Sequence, residues 1–119
     1  MSQTSITIYH NPRCSKSRET LKLIEAAGCE PQVVEYLKSP LGKNALKALV
    51  LRMGVPVRDL LRSTEEAYKT LNLADASTSD EAIFDAMVAH PILMNRPIVV
   101  SDKGACICRP PERVLELLP

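Results

Sequence analysis

Net charge is nearly absent from this sequence: 15 Lys and Arg stand against 14 Asp and Glu, a formal balance of +1. That excludes a general electrostatic pull toward nucleic acid or a membrane surface, so any chemistry on anions has to come from a local cluster of cations. A long apolar run is missing too. Nowhere does the chain approach the ~18 uninterrupted apolar residues that a membrane-spanning helix needs. The start, Met1-Ser2-Gln3-Thr4-Ser5, has neither a basic head nor an apolar stretch and does not read as a signal peptide. Internal repeats, low-complexity tracts and linkers are lacking, so one domain over 1–119 is expected. Cysteine is sparse, at positions 14, 29, 106 and 108. A domain of this length folds without disulfide staples, and Cys106 and Cys108 are too close in sequence for an ordinary structural pair. The thiols are therefore expected to be reduced, and the chain cytoplasmic.

What is present alternates in a recognisable order. Ile6-Thr7-Ile8-Tyr9 reads as a strand that breaks at Asn11-Pro12. A helix is expected from about Cys14 to Ala27, with Leu21, Ile24 and Ala27 inward and Gly28 as its stop. Val33–Tyr36 reads as a second strand. Strand, helix and strand within some thirty residues form a βαβ unit with parallel pairing. Leu46, Leu49, Val50 and Met53 follow helical spacing up to Gly54, and Pro56 opens a short helix through Leu60 and Leu61. Ser63-Thr64-Glu65-Glu66 and Thr78-Ser79-Asp80-Glu81 read as capping boxes for two further helices. Pro97–Val100 and Ala105–Cys108 read as the arms of a hairpin around Asp102-Lys103-Gly104. Pro110-Pro111 opens a last helix carrying Val114, Leu115 and Leu118. The expected class is α/β: a mixed four-stranded sheet, βαβ then ββα, with a helical insertion over about 41–94.

The chemically informative stretch is His10-Asn11-Pro12-Arg13-Cys14-Ser15-Lys16-Ser17-Arg18. Cys14 falls where the first strand hands over to the first helix. Unpaired N–H groups and the positive end of the helix dipole stabilise a thiolate there, and the same groups can cradle an oxyanion. Arg13, Lys16 and Arg18 add cations nearby, and a protonated His10 adds another. Such surroundings depress a cysteine pKa and make it a nucleophile. Cysteine alone is more often an inert core residue, but an inert position is not wrapped in charge. A Cys-x5-Arg phosphatase site would need arginine at position 20, where Thr20 stands. A Cys-x-x-Cys dithiol would need cysteine at 17, where Ser17 stands. Cys106-x-Cys108 offers two metal ligands with no matching pair elsewhere, so no metal is expected.

These residues carry a resemblance. Tyr9-His10-Asn11-Pro12-x-Cys14-x-x-Ser17-Arg18, with Arg96-Pro97-Ile98-Val99-Val100 and Cys108-Arg109-Pro110, is similar to the glutaredoxin-linked arsenate reductases, the ArsC family. Leu60-Leu61-Arg62, Leu71-Asn72-Leu73 and His90-Pro91-Ile92-Leu93 match in the same order, so the likeness spans nearly the whole chain. It implies a thioredoxin-like fold and reduction of arsenate to arsenite. In that scheme Cys14 attacks arsenate, His10 favours the thiolate, and Arg62, Arg96 and Arg109 hold the oxyanion. Asn11, Ser17, Arg18 and Pro97 stand around them, Pro97 where such folds place a cis-proline. Glutathione is implied as co-substrate and glutaredoxin as partner, with no bound cofactor and a monomeric chain. Taken singly, Arg62 would read as a solvated helix end, Arg96 as a loop residue and Arg109 as a surface cap. What favours all three is that planar, bidentate donors suit a doubly charged anion.

Two rivals remain. One is a glutathione-dependent thiol–disulfide oxidoreductase. The other is a non-enzymatic regulator of the Spx type, which binds RNA polymerase and usually carries a dithiol near its N-terminus. Ser17 argues against the regulator, and neither rival needs three converging arginines.

Overall fold

The β-branched run at the start of the chain pairs on both sides. In the computed structural model, which describes residues 5–119, β1 (Thr7–His10) lies parallel to β2 (Gln32–Glu35) and antiparallel to β3 (Ile98–Ser101). β4 (Gly104–Ile107) closes the hairpin with β3, giving a mixed sheet in the order β2-β1-β3-β4. The fold class read from the sequence is the one observed.

The chain divides into two compact units, one taking residues up to Ser39 together with Arg96–Pro119, the other Pro40–Asn95. In the first unit, α1 (Ser15–Ala26) joins β1 to β2 and packs on the 3₁₀ segment Pro111–Leu117. Their shared core holds Ile6, Ile8, Ile24, Val99, Cys108, Val114, Leu117 and Leu118. Ile24 is wholly buried, a contribution of ~1.5–3 kcal/mol for such a side chain. Gly28, at a φ of +82°, ends α1 in the left-handed region that a Cβ disfavours.

Three details of the first unit depart from the sequence reading. Ala27 is exposed, and the inner face of α1 is set by Ser17, Thr20 and Ile24. Thr20 hides its hydroxyl by donating to the Lys16 carbonyl at 2.8 Å, so a polar residue sits inside at little cost. The last helix is 3₁₀ rather than α, and Leu115 points outward while Val114 and Leu117 are buried.

The second unit is helical: α2 (Lys43–Met53), α3 (Glu66–Thr70) and α4 (Asp80–Ala89), with 3₁₀ turns at Val57–Leu60 and Pro91–Leu93. Gly54 closes α2 at a φ of +69°, as its position implied. Both capping boxes are displaced. α3 starts after Glu65 with no side-chain cap, and α4 is capped not by Thr78 but by Ser79, whose hydroxyl accepts from the Ala82 N–H. Arg58 was not singled out in the sequence, yet it donates to the carbonyls of Leu73 at 3.0 Å, Asp75 at 2.9 Å and Thr78 at 2.6 Å. One guanidinium thereby holds the irregular run between α3 and α4. Lys43 and Lys47 pair with Glu81 across α2 and α4, holding the Glu81 carboxyl down to about 2. No helix among the described residues is long and apolar enough to cross a membrane.

Candidate active site around Cys14

Cys14 is the N-cap of α1, with extended backbone (φ −94°, ψ 122°) that turns the chain from strand to helix. The turn is held from both ends. The Cys14 N–H donates to the Asn11 carbonyl at 3.0 Å, and the Asn11 side-chain oxygen accepts from the Arg13 N–H at 3.0 Å. Arg18 reaches back from the first turn of α1 to donate to the Pro12 carbonyl at 3.0 Å. The cysteine is therefore placed by its own loop.

The Cys14 thiol is half-buried and makes no capping hydrogen bond of its own, but its charged form is favoured. Burial alone would raise its pKa. The Ser17 N–H, the Arg96 guanidinium and the Lys16 N–H, all acting on the sulfur, outweigh burial and lower it. The helix start acts here through two specific N–H groups. Of the cations read near Cys14, Arg13 is exposed and Lys16 faces Glu19 at 4.0 Å. The cation that acts on the sulfur comes from position 96, far away in sequence.

Under Cys14, His10 and Ser17 share a buried hydrogen bond of 2.6 Å between Nδ1 and Oγ, and the Asn11 N–H donates to the same Oγ at 3.1 Å. Burial lowers the His10 pKa, opposed by Glu35 and reinforced by Arg18. Burial thus favours the neutral ring, and His10 braces Ser17, the residue whose N–H meets the thiolate.

The Arg96–Pro97 peptide is cis, as is Arg109–Pro110. Arg109 donates from Nη1 to the Arg96 carbonyl at 3.0 Å, and the Cys108 N–H donates to the Pro97 carbonyl at 2.9 Å. Cys14, His10, Asn11, Ser17, Arg18, Arg96, Pro97 and Arg109 all belong to the first unit. Arg62 belongs to the second, where its Nε lies 3.4 Å from the Glu65 carboxylate and its N–H donates to Leu93. All four cysteines are free thiols, and among the described residues no group of three or more His, Cys, Asp or Glu could hold a metal ion. Position alone gave no sign that the sulfurs of Cys106 and Cys108 approach to 3.6 Å.

A mixed sheet whose first strand ends in an activated cysteine at a helix start defines a thioredoxin-like thiol protein. The model of the ArsC family matches residues 9–117, and the chain belongs to that family. An arsenate reductase from Vibrio cholerae superposes with a TM-score of 0.94 at 51% identity, covering 98% of this chain and 100% of that one. The arsenate reductase of Escherichia coli (strain K12) is 48% identical over 98% of this chain and 82% of its own length. An uncharacterized protein of the same organism is 54% identical over 95% of this chain and 96% of its own.

Proposed function

We propose that the chain is an arsenate reductase that works in the cytoplasm as a monomer, with glutathione as co-substrate, glutaredoxin as partner and no resident cofactor. The observation that carries this is the Arg96 guanidinium on the sulfur of Cys14 at the first turn of α1. A thiolate, a fixed cation and helix N–H groups meet at one point, and a tetrahedral oxyanion needs all three. Arg109, tied to the Arg96 backbone, supplies a second guanidinium in the same unit. Arg62, which pairs with Glu65 within the second unit, is the third cation that the family resemblance implies.

The Cys14 thiolate attacks arsenic, forming an S–As bond, and a protonated arsenate oxygen leaves as water. A glutathione thiolate then attacks the Cys14 sulfur. The S–As bond breaks with its electron pair on arsenic, which departs as arsenite, and a Cys14–glutathione disulfide remains. Glutaredoxin exchanges that disulfide and restores the thiol. No cysteine stands at position 17, so the resolving thiol comes from outside the chain.

The test is a coupled assay with arsenate, glutathione, glutaredoxin and a glutathione-recycling system. Turnover is expected from the native chain and none from Cys14→Ser. A chain that ignores arsenate while reducing mixed disulfides is a general oxidoreductase, and the proposal is then wrong.

A further inference from the structure

Two thiols outside the Cys14 site face each other at the edge of the sheet. β4 is an outer strand that carries Cys106 and ends at Ile107, so Cys108 follows directly after it. Cys106 is held in register opposite Val99, and Cys108 is fixed by its N–H bond to the Pro97 carbonyl. Their sulfurs are 3.6 Å apart. Cys106 is half-buried and packs on the core to which the wholly buried Cys108 belongs.

We infer that Cys106 and Cys108 form a two-thiol chelating site for trivalent arsenic, the product of the proposed reaction. The choice of arsenic rests on that functional reading; the pairing of the sulfurs does not. Soft thiolates select soft centres, and a zinc ion would call for four ligands that this site lacks. Arsenic(III) takes three ligands in a pyramid, so two sulfurs and one hydroxyl complete it. The resulting chelate is neutral, which suits a pair packed on Val114 and Leu117, where a bare cation would be costly.

The thiols are prepared for the chemistry. The two sulfurs share a hydrogen bond, and the Arg113 cation favours a thiolate at Cys106. Cys106 attacks arsenous acid as the thiolate, and the displaced hydroxide takes up the proton that Cys106 released and leaves as water. The Cys108 thiol displaces a second hydroxyl, which leaves as water with the Cys108 proton. Two As–S bonds replace two As–O bonds, two waters leave, and arsenic stays trivalent throughout.

The test uses the full chain carrying Cys14→Ser and Cys29→Ser, so that only this pair of thiols remains. Sodium arsenite is titrated in, with native mass spectrometry for stoichiometry and ultraviolet As–thiolate absorption for affinity. One arsenic per chain is expected, and adding Cys106→Ser is expected to weaken binding by at least about tenfold, because one sulfur loses the effective concentration of the other. Cys108→Ala, checked for folding by circular dichroism, is expected to do the same. No binding in the parent variant, or binding unchanged by Cys106→Ser, overturns the inference. Failure of arsenite binding in this variant, while the native chain still reduces arsenate, sinks this site alone. Failure of arsenate turnover sinks the functional reading and leaves the binding result standing.

Discussion

Nδ1 of His10 lies 2.6 Å from Oγ of Ser17, with both side chains shut away from solvent. Ser17 also accepts from the Asn11 N–H, and its own N–H meets the Cys14 sulfur. One buried residue thus ties the end of β1, the loop and the nucleophile together. Its hydroxyl serves the scaffold, while its backbone serves the thiolate.

Those two duties separate in Ser17→Ala. Removing the hydroxyl strands the Asn11 N–H and a face of His10 in the interior, a loss of ~1–3 kcal/mol. Urea denaturation is expected to show that loss. The Cys14 pKa, read from iodoacetamide alkylation against pH, is expected to stay close to that of the native chain, since the Ser17 N–H remains. A large rise in that pKa with stability untouched would contradict the assignment.

Stability is expected to fall in mild acid because of His10. Its folded pKa lies below the ordinary 6.5, so the unfolded chain takes up a proton first as pH drops. The His10 contribution is therefore complete above about pH 6.5, declines below it, and levels off once the folded pKa is passed. Urea midpoints measured between about pH 5 and pH 7.5 are expected to show this slope, and His10→Gln to flatten it. An unchanged slope in His10→Gln would place the titration on another group.

How far these features could be read in advance depended on how local their causes are. Cys14 at the strand-to-helix junction, Gly54 as a helix stop and the hairpin at Asp102–Gly104 rest on neighbours a few residues away, and each stands where the pattern put it. The buried face of α1 was misread at Ala27 because Ser17 and Thr20 look polar until their hydroxyls find partners at His10 and Lys16. The second capping box moved by one residue because Thr78-Ser79 offers two hydroxyls for one cap, whereas at the first neither Ser63 nor Thr64 caps α3, which starts after Glu65. Arg58 carries no local signal, and Cys106-x-Cys108 read only as two ligands without a matching pair. Their significance comes from carbonyls 15 to 20 residues downstream and from a strand end that brings two sulfurs together.

Arg58 offers a check on the second unit. Its three carbonyl contacts replace the hydrogen bonds that regular structure would supply between α3 and α4. Arg58→Ala is expected to cost roughly 2–3 kcal/mol, since charged donors to partly buried acceptors exceed neutral ones. Hydrogen exchange is expected to rise most over residues 71–79. A uniform increase across the whole chain would mean that the guanidinium does not act locally.

Arg96→Gln probes the nucleophile itself. Among the influences on Cys14, burial pushes the thiol up, and the Ser17 N–H, the Arg96 guanidinium and the Lys16 N–H pull it down. Gln keeps a hydrogen-bond donor but removes the charge, so the thiolate loses the Arg96 cation while the helix N–H groups remain. The alkylation pKa of Cys14 is expected to rise toward the ordinary ~8.5, and the rate at pH 7 to fall with the thiolate fraction. Arg109→Gln is the control. Arg109 touches the Arg96 backbone rather than the sulfur, so its loss is expected to weaken arsenate binding while leaving that pKa in place. If both variants shift the pKa alike, the two guanidiniums act as a shared field. If neither does, the helix start alone activates Cys14, and Arg96 has no part in forming the nucleophile.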